Sequence, residues 1–285
     1  MTDQLQKFCT GAMINNVKGD GRQLLLTANH CVFTDLSNSI AGFNYERSGC
    51  SSGDSISEPQ TAHGMKLLTR GSTSDFALFE VVEKIPSSYN VYLSGWDANV
   101  PNLNFSDTFA GIHHPSGDIK KISLYAGKVQ LASWSEGPGK SLHIMIPKWT
   151  RGVTEPGSSG SPLFNSKGNL IGQLHGGASS CGNPTGSDLY GGFAFSFREN
   201  GSGSSLKPFL DPNGIVQNLI LSGRNLYGGT GNTGTTTTTT TVTATATTLT
   251  TTIIRNTCEC VPKAIVDKLI QSYESRIKLL ESNNN

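Results

Sequence analysis

The sequence predicts an all-β protein, from its composition and from the pattern of its apolar residues. Of 285 residues, 33 are glycine and only 15% are charged, and helix-forming residues do not dominate. Short apolar runs rich in Val, Ile, Phe and Tyr are separated by Gly, Ser, Asn and Pro, which is typical of strands joined by tight turns. The length leaves room for one large domain or two small ones.

Apolar segments before residue 150 predict the first strands. A strand is expected over residues 8–17, with a loop at Asn15 and Asn16. A second apolar strand, Leu24–Ala28, runs directly into His30. By the same criterion, further strands are expected over residues 40–45, 76–81, 119–130 and 141–146.

After residue 150 the pattern predicts two more strands and a short helix. Residues 169–174 are apolar and lead directly into His175, and a last strand is expected to end at Phe197. A short amphipathic turn of helix over 206–212 closes the domain, and Pro208 limits its length.

The composition changes sharply at Gly223 and divides the chain into three parts. Residues 1–222 are predicted to form the folded domain. Residues 223–257 read as an extended Gly/Thr-rich linker, with seven consecutive threonines at 235–241. Residues 258–285 are predicted to form an amphipathic helix and a tail.

The apolar stripe of the C-terminal helix is too short for a coiled-coil prediction. Two interpretations stay open: the helix docks on its own domain, or residues 261–282 self-associate, in which case Cys258 and Cys260 could link the partner chains. The stripe has a 4-3-4-3 spacing and consists of Val266, Ile270, Tyr273, Ile277 and Leu280.

Charge, hydropathy and cysteine spacing argue against several classes of partner. The net charge is +1 with no face-sized cluster of Lys and Arg, so no nucleic-acid partner is expected. No apolar run approaches the length of a membrane span. The six cysteines give no zinc pattern, because Cys258 and Cys260 lack a second pair, and disulfides in an exported protein are the better interpretation. We expect no metal and no cofactor.

The segment Glu155–Leu163 has the composition of a nucleophile turn. Small residues surrounding Ser159 allow backbone N–H groups to converge on one point, which acyl-transfer chemistry needs for its oxyanion. The alternative is a flexible Gly/Ser loop, which such clusters usually form. The turn interpretation therefore depends on finding a base and an orienting carboxylate elsewhere in the chain.

Two residues at strand ends could supply that base and that carboxylate. His30 follows an apolar strand, and on its own it would be read as a buried, satisfied polar residue. Asp75 precedes the apolar run Phe76–Val81, so it is either a turn residue or a buried carboxylate that needs a partner such as a histidine N–H. The pair His113 and His114 suggests a metal, but neighbours on a strand point to opposite faces, which disfavours a shared ion.

The order of His30, Asp75 and Ser159 matches one arrangement of a serine-hydrolase triad on an all-β background. Three strings extend the match: GIHHP at 111–115, VTEPGSSGSP at 153–162 and QLHGGASSC at 173–181. On these residues the chain resembles the trypsin-like (chymotrypsin-fold) serine endopeptidases, and more narrowly the bacterial lysyl endopeptidases, over about residues 8–222.

The resemblance implies two six-stranded β-barrels with the active site in the cleft between them. Ser159 would attack the scissile carbonyl, and His30 would take its proton and later pass it to the leaving amine. Asp75 would hold the imidazole tautomer. The backbone N–H groups of Gly157 and Ser159 would form the oxyanion hole.

The resemblance also implies which residues select the substrate. Asp188 would lie at the base of the specificity pocket and pair with a substrate lysine; alternatively, it is a loop residue that caps a turn. His175, by motif, and Trp134, by spacing only, match residues that line the substrate side, although Trp134 could equally be a core or interface aromatic. Gly176 would pair with the substrate backbone.

Two serines beside Ser159 need their own interpretation. Ser161 is a rival nucleophile, but the family pattern selects Ser159 and leaves Ser161 as a structural hydroxyl. Ser158 stands where classical trypsins have the aspartate that binds a freshly cut N-terminus. Activation through such a salt bridge is therefore not expected here.

The cysteines carry further expectations from the resemblance. Cys9 and Cys31 fit the family disulfide beside the catalytic histidine. Cys50 and Cys181 resemble cysteines whose partners lie upstream of Phe8, so we expect the chain to be a fragment that also lacks its secretion signal. If the start is genuine, Cys50 and Cys181 are expected to be unpaired.

The sequence thus predicts a secreted serine endopeptidase that acts on proteins or peptides after lysine, with arginine left open. The alternative is a catalytically weak or inactive homologue that binds proteins, tethered by the Thr-rich linker and the C-terminal helix.

Overall fold

The structure, a computed structural model, describes residues 9–32, 39–49, 53–134, 141–198 and 204–228. Within these ranges the chain is mostly β, which confirms the all-β prediction. The strands are β1 (Ala12–Met13), β2 (Leu24–Ala28), β3 (Ile40–Phe43), β4 (Gln60–His63), β5 (Met65–Gly71), β6 (Phe76–Val81), β7 (Tyr92–Leu93), β8 (Trp96–Asp97), β9 (Asp107–His113), β10 (Lys121–Gly127), β11 (Gln130–Ala132), β12 (His143–Ile146), β13 (Pro162–Phe164), β14 (Leu170–Gly177), β15 (Asp188–Gly192), β16 (Ile220–Leu221) and β17 (Arg224–Asn225). The α-helices are α1 (Phe193–Phe197) and α2 (Lys207–Leu210), and 3-10 turns lie at Asn29–Cys31, Ser87–Tyr89, Pro115–Gly117 and Gln217–Leu219.

An antiparallel sheet in the order β1-β2-β6-β5 positions the first two candidate residues. Its central strands are nearly continuous apolar runs, and most of their side chains are buried. Ala28 at the end of β2 lies opposite Phe76 at the start of β6. Because the strands are antiparallel, the residues that follow β2 and those that precede β6 meet at one edge. His30 and Asp75 are therefore neighbours.

A second sheet carries the rest of the candidate site. Its order is β10-β9-β13-β14-β15-β12-β11, and β8 and β16 join it at β14. The turn that holds Ser159 directly precedes β13. Strand β14 ends and β15 begins at the same place, where Gly177 lies opposite Asp188.

The strand count differs from the two sets of six that the resemblance implied. The described sheets have four and nine strands, and β3-β4 and β7-β17 form separate two-stranded pairs. Strand β8 lies in the first half of the chain, yet Trp96 pairs with Leu170 of the second sheet. This pairing crosses between the two halves, so the described sheets do not by themselves give a count of six strands for each barrel.

One apolar cluster joins the two sheets. It includes Leu26 of β2, Leu78 of β6 and Leu170 of β14, together with Trp96. Each of these side chains is at most 1% exposed. Burial of four large apolar side chains between the sheets contributes roughly 1.5–3 kcal/mol each, so it holds the two halves of the site together.

Helix α1 corrects the sequence prediction of a last strand ending at Phe197. Phe193 and Phe197 are instead one helical turn apart, and both rings pack on Trp96, at 5.5 and 5.0 Å between centroids. A short apolar run cannot be assigned to strand or helix by its pattern alone. Packing of both rings on Trp96 stabilises the helix over residues 193–197 rather than a strand.

The described chain stays packed beyond residue 222, where the sequence places the start of the linker. Arg224–Asn225 pairs with Tyr92–Leu93, Leu226 is buried, and the Tyr227 hydroxyl donates to the carbonyl of Ile85. The rest of the predicted linker, the helix at 258–285 and its proposed self-association lie outside the described residues. Among the helices that the structure describes, none has the length and apolar character needed to cross a membrane.

Candidate active site

His30 and Asp75 form a hydrogen-bonded pair at the edge of the first sheet. Asp75 Oδ2 accepts from the His30 ring Nδ1 at 2.7 Å, and Asp75 Oδ1 accepts from the His30 backbone N–H at 2.9 Å. Asp75 is 2% exposed and has a φ of 56°, a left-handed conformation that aspartate tolerates better than most residues. Both carboxylate oxygens orient His30. With its proton on Nδ1, the neutral ring keeps Nε2 free to accept another.

The segment Cys9–Thr10 ties the Ser159 turn to the His30 turn. The disulfide between Cys9 and Cys31 is present, which confirms that prediction. The Thr10 backbone N–H donates to the Ser159 carbonyl at 2.8 Å, and the Thr10 hydroxyl donates to the Gly157 carbonyl at 2.8 Å. Because Cys31 directly follows His30, the disulfide and these two hydrogen bonds bring the candidate base and nucleophile onto adjoining backbone.

The exposure of the two rival serines differs. Ser161 is fully buried, whereas Ser159 is partly exposed at the head of the turn. Gly160, between them, donates its N–H to the Leu174 carbonyl at 2.8 Å, which fastens the turn to β14. Only Ser159 is therefore accessible to a substrate.

Gly160 must be glycine for the turn to lie where it does. Its φ is +79°, and a Cβ there would be 2.0 Å from Thr27 Oγ1 and 2.5 Å from the Thr10 carbonyl oxygen. We expect Gly160→Ala to abolish activity and to destabilise the fold by several kcal/mol, measured by urea unfolding, since backbone must move.

Gly168→Ala is the matched control for Gly160→Ala. Gly168 has a similar φ of +75°, but a Cβ added there would meet nothing within 4 Å. Its cost should be limited to the left-handed conformation, about 1–2 kcal/mol, with activity retained. Equal losses in the two variants would contradict the role assigned to close packing at Gly160.

Two backbone N–H groups of the turn, those of Gly157 and Ser159, donate no hydrogen bond within the described part of the chain, whereas those of Ser158, Gly160 and Ser161 all do. The carbonyl of Pro156 accepts from Ser116 N–H at 2.6 Å, and that of Ser158 accepts from Ser161 N–H at 3.0 Å. The N–H of a trans peptide points opposite to its carbonyl. Both free N–H groups are therefore fixed in direction, as an oxyanion hole requires.

No hydrogen bond joins Ser159 Oγ to the His30 ring among the described residues. Such bonds are often long or poorly aligned until a substrate is present. The structure thus brings His30 and Asp75 into direct contact. The backbone of Ser159 is hydrogen-bonded to Thr10, next to the cysteine that is linked to Cys31.

Aromatic rings extend the site on the other side of Asp75. The Trp134 and His175 rings stack, with centroids 3.6 Å apart and planes within 14°. The His175 ring also stacks at 5.6 Å on His30, and its Nε2 lies 3.6 Å from Asp75 Oδ2. Trp134, which the sequence matched by spacing alone, is half exposed and lies beside the triad candidates.

Asp188 is fully buried at the start of β15. Its Oδ2 accepts from Trp149 Nε1 at 2.6 Å and from Thr154 Oγ1 at 2.9 Å. Its Oδ1 has no hydrogen-bond partner among the described residues, although Ser179 lies near enough to favour the charged form. Burial raises the pKa of the Asp188 carboxyl, and the hydrogen bonds oppose that rise. Oδ2 is thus held by two hydrogen bonds, whereas Oδ1 can accept a hydrogen bond from a ligand.

Among the described residues, two groups have metal-ligand atoms within 4.8 Å of one another: His30, Asp75 and His175, and His30 with Cys9 and Cys31, whose sulfurs form the disulfide. The 2.7 Å distance between His30 Nδ1 and Asp75 Oδ2 is that of a charge-assisted hydrogen bond. Hydrogen bonding is therefore sufficient to explain this arrangement.

A comparison with protein families identifies the chain. The family described as "Lysyl endopeptidase, C-terminal domain" matches residues 1–191. The chain belongs to this family. Among curated proteins, the lysyl endopeptidase of Pseudomonas aeruginosa strain PAO1 is 33% identical over 190 residues, which cover 62% of this chain and 39% of that protein. The chain therefore spans about two fifths of the length of its relative.

Two solved structures illustrate the similarity of the fold to known proteins. A thermostable serine protease, AL20, from an extremophilic microorganism is 16% identical, with a TM-score of 0.44 over 67% of this chain and 87% of that one. Human heparin binding protein is 16% identical, with a TM-score of 0.45 over 68% of this chain and 84% of that one.

In this lysyl endopeptidase family member, Ser158 is held by a buried histidine. His113 Nδ1 lies 2.7 Å from Ser158 Oγ, and His113 Nε2 lies 3.1 Å from Ser123 Oγ. Ser123 donates its own proton to the Val153 carbonyl, so His113 must donate from Nε2 and accept at Nδ1. The ring is neutral, because burial lowers its pKa to about 3. A hydrogen bond between the neutral His113 ring and the Ser158 hydroxyl thus stabilises the turn.

Because His113 is buried in its neutral form, we expect the free energy of unfolding to decrease at acidic pH. On unfolding, its pKa returns from about 3 to near 6.5, so the unfolded chain binds one more proton in that window. The contribution of His113 to the free energy of unfolding is fully present above pH 6.5. On acidification below that pH it falls by up to about 1.4 kcal/mol per pH unit. We expect His113→Gln to flatten the dependence of unfolding free energy on pH between 6.5 and about 4.5, measured by urea unfolding. Parallel profiles for the variant and the parent protein would contradict this account.

One cysteine expectation is wrong. Cys181 is disulfide-bonded, so it is not the unpaired cysteine that the sequence analysis allowed for. Cys50, Cys258 and Cys260 lie outside the described residues.

Three residues of the site were missed by the sequence analysis. Trp149 and Thr154 hold Asp188, and His143 Nε2 lies 2.9 Å from His175 Nδ1. Thr154 lies within a string quoted for the resemblance, which could have drawn attention to it. His143 and Trp149 have no local signal.

Proposed function

We propose that this protein is a serine endopeptidase that cleaves peptide bonds after lysine by way of a covalent acyl-enzyme. The observation that carries the proposal is that both Asp75 oxygens accept hydrogen bonds from His30, beside a turn in which the N–H groups of Gly157 and Ser159 donate no hydrogen bond within the described chain. In this assignment Ser159 is the nucleophile, His30 the general base and Asp75 the orienting carboxylate.

The proposed reaction uses these groups in sequence. Ser159 Oγ attacks the scissile carbonyl carbon while His30 Nε2 accepts its proton. The carbonyl oxygen becomes an oxyanion that the N–H groups of Gly157 and Ser159 stabilise. His30 then protonates the leaving amine, and water, activated by the same ring, hydrolyses the ester. Asp75 stabilises the imidazolium that forms in each step.

The lysine preference is supported by the surroundings of Asp188. A buried carboxylate with one unpaired oxygen is unfavourable until a cation pairs with it. A substrate ammonium group reaching Oδ1 would supply that cation, whereas an apolar side chain would leave the carboxylate unpaired. Gly177 leaves the approach to Oδ1 open, because a Cβ there would lie 2.3 Å from this atom. The Pseudomonas relative is named for cleavage at lysine.

The substrate backbone is proposed to lie along the end of β14. Gly176 would offer its peptide groups to that backbone, and Trp134 and His175 would line the same side. Trp134 packs over Gly176, since a Cβ on this glycine would be 3.2 Å from the indole ring. The small residue therefore leaves the ring room beside the substrate.

Secretion forms part of the proposal. Disulfides persist in oxidising compartments, and both the Cys9–Cys31 bond and the bond at Cys181 support export. The partners would be proteins or peptides with lysine before the scissile bond.

Digestion of a defined protein, followed by mass spectrometry of the products, tests this function. We expect cuts after lysine, and the share after arginine will measure which cation the site prefers. The Ser159→Ala protein is the control for contaminating proteases. Cuts scattered over apolar residues would overturn the lysine assignment. A folded protein that neither cleaves nor reacts at Ser159 with an organophosphonate would instead indicate an inactive, protein-binding homologue.

A further inference from the structure

A second buried histidine, His143, lies next to His175, which in turn lies next to Asp75. It lies at the start of β12 and is 1% exposed. Its Nε2 is 2.9 Å from Nδ1 of His175, whose own Nε2 is 3.6 Å from Asp75 Oδ2. A line of polar contacts therefore runs from His143 through His175 to the carboxylate that orients His30.

The unpaired atom of His143 determines which ring carries which proton. His143 Nδ1 is buried without a hydrogen-bond partner among the described residues. A neutral imidazole has one N–H and one lone pair, and an orphaned buried N–H is rarer than an orphaned acceptor. The proton of His143 therefore belongs on Nε2, where it can be donated to His175 Nδ1.

The proton of His175 follows from that assignment. Its Nδ1 accepts from His143, so a neutral His175 carries its proton on Nε2, directed at Asp75. At 3.6 Å this contact is longer than a hydrogen bond but still attractive. The opposite tautomers would turn a lone pair of His175 toward the carboxylate, which is repulsive. Burial favours the neutral form of both rings: it lowers the pKa of His143 to about 4 and also lowers that of His175.

We propose that His143 is a positioning residue that fixes the tautomer of His175, so that His175 directs an N–H at Asp75 as an additional donor beside His30. The inference rests on the function proposed above, because it concerns how the orienting carboxylate is held. His143 is 1% exposed, so it would act through its neighbours, chiefly His175; its ring also lies 6.3 Å from that of Trp134.

Kinetics of paired variants test the proposal. The amide nitrogen of glutamine can replace Nε2 of histidine as a donor, whereas leucine cannot. We expect His143→Leu to lower kcat/KM on a lysine amide by about threefold to tenfold, the worth of one hydrogen bond. His143→Gln should recover most of that loss. In a His175→Ala background, both changes should have no further effect on kcat/KM.

Two kinetic outcomes would overturn the proposal. One is full activity of His143→Leu. The other is the same loss from His143→Leu in the presence and in the absence of the His175 ring, which would show that His143 merely packs. Urea unfolding of each variant separates a loss of folded protein from a loss of positioning.

Nitrogen-15 NMR of the histidine rings provides a measurement that needs no catalysis. We expect the spectrum of the whole protein to show protonated Nε2 and unprotonated Nδ1 for both His143 and His175, with the His175 pattern changed in His143→Leu. A proton on Nδ1 of His175 would refute the assignment. Because the readout is a tautomer, it stands apart from the proposed function: absence of peptide cleavage would refute that function and leave the NMR result interpretable.

Discussion

Replacing Ser159 with alanine is expected to lower kcat on a lysine amide by about a millionfold, the loss that removal of a triad nucleophile produces elsewhere. Without Oγ no acyl-enzyme can form, and His30 has no proton to accept from the turn. The N–H groups of Gly157 and residue 159 remain, so a small residual rate above the uncatalysed one should persist. Steady-state kinetics and organophosphonate labelling measure the two consequences directly.

Ser161→Ala is the matched control for Ser159→Ala. The two serines are two residues apart in the same turn, but Ser161 is fully buried. Its removal should leave kcat within about tenfold of the parent protein and labelling intact, since only packing changes. If Ser161→Ala abolished labelling while Ser159→Ala kept its activity, the nucleophile would have been assigned to the wrong serine.

Replacing Asp188 with asparagine is expected to have the largest effect on the choice of substrate. An asparagine has nearly the same shape and can still accept from Trp149 and Thr154 through its oxygen, but it offers no charge to a substrate ammonium. Leaving a buried cation unpaired costs on the order of 2–5 kcal/mol, so kcat/KM on lysine substrates should fall by roughly 30-fold to 4,000-fold. The activity on leucine amides should change much less.

The ratio of kcat/KM for lysine and leucine amides is the measurement that decides this prediction. Asp211→Asn serves as its control, because Asp211 is also buried but binds the N–H groups of Ile215 and Val216 at the end of α2. That variant should keep the lysine preference whatever its stability. An Asp188→Asn protein that still prefers lysine would show that the specificity arises elsewhere.

The strand-rich fold class and the candidate residues of the site could be predicted from local residue patterns. His30 and Ser159 each lie in a short string whose residue types carry the signal, and Asp75 stands directly before an apolar strand. The Cys9–Cys31 disulfide was predicted from the resemblance and is present. These features are local, and local patterns can be read without coordinates.

Features that depend on pairs of residues far apart in the sequence could be identified only in the folded chain. His143 contacts His175 across 32 residues, and Trp149 contacts Asp188 across 39, so no periodicity or spacing could announce either pair. Packing on Trp96 likewise made α1 a helix where the apolar run predicted a strand. Free energy of burial depends on what each side chain meets in the folded chain, and that information is absent from any short stretch of sequence.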